Sequence, residues 1–435
     1  MQPESSTSKF NQQVQPASST SKEIPMTTDN NSNETSNNKI PQLRMLAPES
    51  FRTKLTRRAI FQMGTAAAGL AIVAAACGGD DGGSGGGSDT SEGSTETPGG
   101  AQASGDWSRV INAASGTLAM YTWGDYNDPL LVGEQAEGAI GVTMKVDYFN
   151  SNEDLITKLS TSGGSSGFDI VVPTGPYIPQ MIEKGLIQKF DKSMIPNMVN
   201  VDPNYLAQEW DPNNEYSVCK NWGTTGFFWD STVITRDLVT WADFFDACMN
   251  EASGNCSVLD TGPNLWGAWC WANGKDWNGT DAADLDACEA FLVDELAQHI
   301  KKFDSYPSTA IAEGAYALSM AWNGDARQAY FRIAEAGGDP TVWKWALGSP
   351  DTELWMDNYC IAAGAPNPEA AHAWINWELI PEISIQDLQY HGYHTGMKSM
   401  SQLIEELAPD LEFGDMIFFD DTQVATMSTQ EITEA

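Results

Sequence analysis

The sequence predicts an α/β fold, because strand-like and helix-like segments alternate along the chain from about Trp107 onward. GTLAMYTW and GVTMKVDYF have the alternating pattern of strands, whereas SNEDLITKLS places Leu155, Ile156 and Leu159 on one helical face. The short apolar run FDIVVPTG is typical of a parallel strand that is covered on both faces. Alternating units of this kind favour an α/β architecture.

The sequence also predicts the order of several helices and strands. Ser151 and Asp154 form a capping-box-like start for the first helix. YIPQMIEKGLIQKFD reads as a helix, a glycine stop and the next element, and ALSMAWNGD and ELWMDNYCIAAGA read as two later strands. NPEAAHAWINWELI is predicted to be an amphipathic helix with Asn367 as its N-cap and Pro368 at its first position.

Within the strand ELWMDNYC, Trp355 and Asp357 are predicted to point to the same side, because side chains alternate along a strand. An indole beside a carboxylate suits the binding of a cation, although tryptophan at a strand end is also common in cores. Trp123, Thr174 and Trp322 likewise lie at or beside strand ends, where open α/β sheets bind their ligands. The residues alone leave two interpretations, a cation-binding crevice at these strand ends and a packed core.

Composition limits the classes of partner. The 435 residues include 59 Asp and Glu against 23 Lys and Arg, a formal net charge of -36. Such a surface repels nucleic acid and attracts cations, but it also suits solubility or a salty habitat. The chain lacks CxxC pairs, and His391 and His394 have no evident third ligand. Neither a metal site nor a cofactor is expected.

The N-terminal quarter of the chain is predicted to direct export. Residues 1–44 are polar and expected to be disordered, and either precede a natural start at Met45 or form a long leader. Residues 45–77 resemble an export signal of the twin-arginine type, with Arg57 and Arg58 before an apolar run; a membrane anchor is the alternative. The run ends at Cys77 in a sequence that resembles a lipoprotein lipidation site. Residues 78–106 are expected to be a flexible linker.

Six cysteines remain after Cys77, an even number that in an exported chain is compatible with disulfides in fifteen connectivities. We expect the local pairs Cys248–Cys256 and Cys270–Cys288, which leaves Cys219 with Cys360.

Several segments, taken in their order and spacing, resemble the periplasmic spermidine/putrescine-binding proteins of ABC importers. The resemblance runs from about Gly116 to the C-terminus. It is carried by YTWGDY, FNSNEDLITKLS, FDIVVPTGPYI, GLIQKFDKSMIPNMVNVDPNY, DPNNEYSV, WGTTGFFWD, MAWNGDARQA, LWMDNYCIAAGAPNPEAAHAWINW and YHGYHTGM.

The resemblance implies a two-lobed type II periplasmic binding protein fold with hinge strands that closes on its ligand. Lobe 1 would comprise residues 107–223 and 356–396, and lobe 2 residues 224–355 and 397–435. The chain would capture a polyamine between the lobes and deliver it to the permease. It would act as a periplasmic or cell-surface lipoprotein, as a monomer and without catalysis.

The resemblance also implies roles for individual residues. Asp357 would hold an ammonium group, and aromatic rings would pack the methylene chain. The ligand-binding residues implied are Trp123, Tyr126, Thr174, Trp322, Trp355, Asp357, Tyr393 and Gln423.

The sequence departs from the family where acidic residues are usual, since Thr261 and Asn264 occupy those positions. Asp260 is expected to compensate and is included in the predicted site, with Asp325 as a further candidate. The alternatives are a different organic cation on the same fold, or an exported carbohydrate-active hydrolase with tryptophan platforms and acidic residues.

Overall fold

The computed structural model describes residues 116–162 and 166–431. The predicted N-terminal extension, export signal, lipidation site at Cys77 and linker lie outside these residues. The described strands are β1 (Gly116–Trp123), β2 (Val142–Phe149), β3 (Ile170–Val171), β4 (Ile187–Gln188), β5 (Ser217–Asp230), β6 (Cys256–Val258), β7 (Ile300–Phe303), β8 (Leu318–Trp322), β9 (Trp343–Leu347), β10 (Thr352–Ala362) and β11 (Met427–Ser428).

Helices alternate with these strands along the described chain. The α-helices are α1 (Ala136–Ile140), α2 (Asn152–Thr161), α3 (Ile178–Glu183), α4 (Trp241–Met249), α5 (Gly262–Ala272), α6 (Ala282–Ala290), α7 (Pro307–Ala312), α8 (Asn323–Glu335), α9 (Pro368–Glu378), α10 (Pro381–His391), α11 (Met400–Leu407) and α12 (Asp421–Val424).

The strands form one curled sheet with two parallel regions. In the first region β2, β1 and β3 pair in parallel, and in the second β8, β6 and β7 do. The antiparallel pair of β5 and β10 joins the regions, because β10 also pairs with β3 while β5 also pairs with β8. These two long strands are the hinge strands of a two-lobed fold, as the sequence predicted.

The hinge strands approach each other closely at Gly223. A Cβ atom placed there would lie 2.5 Å from the Asn323 side chain and 2.5 Å from the Trp355 ring. Neither contact is sterically possible, so only glycine brings β5 this close to the residues of β10 and α8. The close approach holds Trp355 and Asn323 in fixed positions at the junction of the two regions.

Separate hydrophobic cores support the two regions. One core includes Leu118, Val171, Trp374 and Leu388, and it also takes residues from α11 and the segment that follows. Two further clusters pack around β5, β8 and their neighbouring helices; they include Phe227, Trp241, Phe244, Phe228 and Trp343. The division of the apolar residues is that of a two-lobed molecule, while the residue limits predicted for each lobe stay a prediction.

Most of the elements read from the sequence are confirmed with small changes of length. The Ser151 hydroxyl accepts a hydrogen bond from the Asp154 backbone at the start of α2, and Pro368 occupies the first position of α9. The strand predicted from FDIVVPTG is shorter than expected, because only Ile170 and Val171 pair in the ladder before Pro173 interrupts it.

The predicted disulfides are not present. All six described cysteines are buried free thiols. Cys219 and Cys360 are not opposite each other, since their partners across the β5–β10 pair are Asn358 and Ser217. The Cys256 thiol contacts the backbone oxygen of Cys248 instead of forming a covalent bond with it. Within residues 116–162 and 166–431, no helix has the length and apolar character needed to cross a membrane.

Candidate functional site

A cavity lies where the hinge strands meet the ends of β1, β3 and β8. Aromatic and acidic side chains dominate its lining. It is lined by Trp123, Gly124, Tyr126, Ser151, Asn152, Glu153, Thr174, Tyr177, Thr261, Pro263, Asn264, Tyr306, Trp322, Asp325, Glu353, Trp355, Asp357, Tyr393 and Gln430. Residues from both parallel regions of the sheet line the cavity, so a ligand bound in it would contact both lobes.

Asp357 is buried at one side of the cavity, with 5% of its surface exposed. The Thr174 hydroxyl donates to its Oδ1 at 2.7 Å, and the Tyr126 hydroxyl donates to its Oδ2 at 2.5 Å. Asn152 in turn donates to the Thr174 hydroxyl at 2.9 Å. The carboxylate is therefore fixed in orientation by neutral donors, which leaves its negative charge uncompensated by direct contact.

Aromatic rings surround this carboxylate. Trp123 packs edge-on against Trp322 with ring centroids 5.9 Å apart, and Trp355 packs in the same manner against Tyr393 at 4.9 Å. Tyr126 lies 5.5 Å from Tyr393. Such rings offer apolar surface to a methylene chain and electron-rich faces to a cation. The pocket chemistry suits a guest that is both positively charged and partly apolar.

Two more buried carboxyl groups line the same cavity. Tyr393 donates its hydroxyl to Asp325 at 2.6 Å, and Thr225 donates its hydroxyl to Glu353 at 2.8 Å. Asn264 also donates its side-chain amide to Glu353. These partners are neutral, so both carboxyl groups resemble Asp357 in being held by neutral donors and not by direct contact with a cation.

Burial raises the pKa of each of the three carboxyl groups. Desolvation raises the pKa of Asp357 to about 6, although the hydrogen bonds from Tyr126 and Thr174 and the charge of Lys220 oppose the rise. Desolvation likewise raises the pKa of Asp325 and that of Glu353 to about 7. Ionising these groups in the empty cavity is unfavourable, and a bound cation would reverse that cost.

Amine binding is expected to strengthen as pH rises from about 5 to about 8. Aliphatic amines keep their protons in that range, as lysine does. The carboxyl groups of Asp357, Asp325 and Glu353 lose theirs. The cation binds the ionised carboxylates, so complex formation near pH 6 should release protons.

Calorimetric titration in buffers of different ionisation enthalpy measures this proton release. A number of released protons near zero at pH 6 would contradict the expected linkage.

The stability of the ligand-free protein depends on pH in the opposite direction. The raised pKa values contribute stability that is fully present below about pH 4 and lost as pH rises through about 6 to 7.

A buried ion pair supports the cavity from behind. Lys220 Nζ lies 2.9 Å from Asp387 Oδ2, and both side chains are almost completely buried, with 1% and 2% exposed. The same ammonium donates to the Tyr126 backbone oxygen at 2.9 Å and lies 4.5 Å from the centre of the Tyr126 ring. Lys220 therefore positions the tyrosine that contacts Asp357.

The charge pattern of the lining is one-sided. In the described chain the lining includes four acidic residues, Glu153, Asp325, Glu353 and Asp357, and no lysine, arginine or histidine. Nor do the described residues contain a group of three His, Cys, Asp or Glu side chains arranged to hold a metal ion. The acidic lining thus favours a cationic guest.

Most residues predicted from the sequence converge on this cavity. Trp123, Tyr126, Thr174, Trp322, Trp355, Asp357 and Tyr393 line it. Asp260 does not, because it lies exposed just before α5. Gln423 also lies outside the lining, where its side chain accepts the Asp420 backbone N–H in a capping box of α12. Gln430 lines the cavity instead.

Sequence reasoning missed Glu353, Tyr306 and Gln430. The signal for Glu353 is present in the sequence. Glu353 lies two residues before Trp355 and four before Asp357 on β10, and residues at this spacing point to the same side of a strand. Tyr306 reaches the cavity from the position just before α7, and its hydroxyl accepts from the Gly124 backbone and donates to the Phe149 carbonyl. No local pattern signals such a distant contact.

The two-lobed fold and an acidic, aromatic cavity between the lobes define a solute-binding protein of the hinged type. The chain belongs to the bacterial extracellular solute-binding protein family, whose model matches residues 132–412.

Individual relatives agree in name and fold. The chain is 32% identical over 299 residues to the spermidine/putrescine-binding periplasmic protein of Escherichia coli, a match that covers 68% of this chain and 82% of the relative. It is 29% identical to the putrescine-binding periplasmic protein of the same organism, covering 68% and 82%. A putative spermidine/putrescine ABC transporter from Listeria monocytogenes has a TM-score of 0.64 at 26% identity, covering 72% of this chain and 93% of that one.

Proposed function

We propose that this protein captures a polyamine-class cation between its lobes outside the cytoplasm and delivers it to the permease of an ABC importer. The observation that carries the proposal is the cavity itself: Asp357 is held by two neutral hydroxyl donors among aromatic rings, in a lining without basic residues across the described chain. The names of the relatives support the same ligand class.

The protein acts as a binding component and not as an enzyme in this proposal. An exported carbohydrate hydrolase was the alternative from a different class, but the relatives are named for binding and transport and favour the main interpretation. A different organic cation on the same fold is the second candidate, and titration with a quaternary ammonium compound distinguishes it.

The remaining parts of the proposal concern the membrane and the assembly. Residues 45–77 would direct export by a twin-arginine-like signal, Cys77 would carry a lipid anchor, and the linker that follows would hold the binding domain near the permease. The protein would act as a monomer.

Isothermal titration with putrescine, spermidine, spermine and a quaternary ammonium compound tests the ligand class. We expect saturable binding of at least one polyamine and a matching rise in melting temperature, because a ligand selective for the folded state stabilises it by mass action. Butane-1,4-diol, of similar length but without charge, is the control and should not bind. Binding of the quaternary compound alone would favour a different cation, and the absence of binding by all of them would contradict the proposal.

A further inference from the structure

We propose that Glu353 is the second ammonium-binding residue of the cavity, so that the site takes a linear diamine held by Asp357 at one end and by Glu353 at the other. This inference rests on the proposed function and names the acidic residue that replaces those missing at positions 261 and 264. The diamine would lie along the face of β10 with its methylene chain against Trp355.

The first support is the position of Glu353 on β10. Glu353, Trp355 and Asp357 are two residues apart from one another within this strand, and all three line the cavity. Residues separated by two along a strand lie on the same face. The indole is therefore placed between the two carboxyl groups, where it can cover the apolar part of a ligand that contacts both.

The second support is the availability of one carboxylate oxygen. Within the described residues, Thr225 and Asn264 both donate to Oε2 of Glu353, and its Oε1 has no hydrogen-bond partner. Asp357 differs, because each of its oxygens accepts one hydroxyl. Glu353 is 7% exposed, so this oxygen lies in a sheltered place where a charged hydrogen bond is strong.

The third support is the hydrogen-bond chain that the residues at positions 261 and 264 form to Glu353. The Thr261 hydroxyl donates to the Asn264 side-chain oxygen, and the Asn264 amide donates to Glu353. This chain of hydrogen bonds orients the amide nitrogen toward the carboxylate. An aspartate at position 264 would instead place a second negative charge against Glu353 in a desolvated site, at high cost. The neutral residues at 261 and 264 are therefore matched to an acid at 353.

The fourth support is that the two carboxyl groups are positioned from different sides. Tyr126 and Thr174, which hold Asp357, follow β1 and β3 in the first parallel region. Thr225, which holds Glu353, lies in the part of β5 that pairs with β8, and Asn264 lies in α5. A ligand that bridges the two carboxylates would connect both lobes.

The distance between Glu353 and Asp357 sets the length of a ligand that can contact both carboxylates. Four residue steps of extended strand separate the Cα atoms of Glu353 and Asp357, about 13 Å at the usual rise. An ammonium-to-carboxylate hydrogen bond spans about 2.8 Å, so the two nitrogens of a bridging ligand would lie about 7 Å apart if the side chains are parallel. A four- or five-carbon diamine has this span.

Titrating butane-1,4-diamine and butylamine into the full chain and into Glu353→Gln tests the inference. Wild-type protein should bind the diamine at least about tenfold more tightly than the monoamine, the usual range for a hydrogen bond to a charged group. In Glu353→Gln the diamine should lose about tenfold or more in affinity, and the monoamine should change little. Asp325→Asn, at the other buried carboxyl of the lining, tests the competing position, and the ratio should fall less there than in Glu353→Gln. The exposed Asp260→Asn, outside the lining, is the control and should leave the ratio unchanged.

Each outcome decides the inference. An unchanged diamine-to-monoamine ratio in Glu353→Gln, or its collapse in Asp325→Asn alone, would overturn it. If Glu353→Gln does not fold, the wild-type comparison of butane-1,4-diamine with 4-aminobutan-1-ol still decides, because equal affinities would show that the second charge adds nothing. If the wild-type protein binds none of these amines, that result would instead count against the proposed function.

Discussion

Replacing Asp357 by asparagine is expected to weaken polyamine binding by about 2–5 kcal/mol, the usual cost of removing one partner from a buried, hydrogen-bonded charge pair. That range corresponds to a rise in Kd of about 30-fold or more. The carboxylate is 5% exposed and lies among Tyr126, Thr174 and the aromatic rings, so water cannot take over the solvation of the bound ammonium. The asparagine keeps the size of the side chain and removes its charge.

The exposed Asp260→Asn is the matched control, because the same change is made in an acid that the sequence predicted for the site but that does not line the cavity. Its Kd should stay within about twofold of the wild-type value at physiological salt, where exposed charges are largely screened. Calorimetric titration measures both variants. Equal losses in the two would indicate that the overall negative charge, and not Asp357, provides the affinity.

The sequence predicted the parts of the site that depend on local patterns. The placement of Trp123, Trp322 and Trp355 at strand ends follows from alternation and from the sheet-edge rule for ligand binding, and these residues do line the cavity. The alternating hydrophobic segments also predicted β1, β2, β8 and β10.

The rest depended on contacts between distant parts of the chain. Asp260 was an attractive compensating acid in sequence, but the start of α5 leaves it exposed while the buried Asn264 faces Glu353. Gln423 is used by its own helix cap. Tyr306 contacts Gly124 from 182 positions away, a relation that no local pattern contains. The disulfide prediction was wrong for a similar reason, since strand register places Cys219 and Cys360 opposite other residues.

Replacing Lys220 by methionine is expected to lower the free energy of unfolding by about 3–5 kcal/mol at pH 7, because it leaves a buried carboxylate without its partner. Burial raises the pKa of Asp387, but the charge of Lys220 and the hydrogen bonds from Lys220 and His391 outweigh it and hold that pKa below its usual value. His391 is neutral at this pH, since burial lowers its pKa to about 4. The remaining carboxylate would then have only neutral donors, namely the His391 imidazole, the Asp128 backbone N–H and the Asn127 side-chain amide. Tyr126 would lose the ammonium that holds its backbone oxygen.

Urea unfolding of Lys220→Met beside Lys189→Met measures this cost with a built-in comparison. The Lys189–Glu215 pair has a similar distance, 2.7 Å, but its side chains are 56% and 42% exposed, so the loss there should be much smaller than in Lys220→Met. The double variant Lys220→Met with Asp387→Leu should recover most of the stability, since replacing both members of a buried pair by apolar residues is often neutral. Failure of the double variant to recover would mean that Lys220 acts mainly through Tyr126, and its amine affinity would then fall together with its stability.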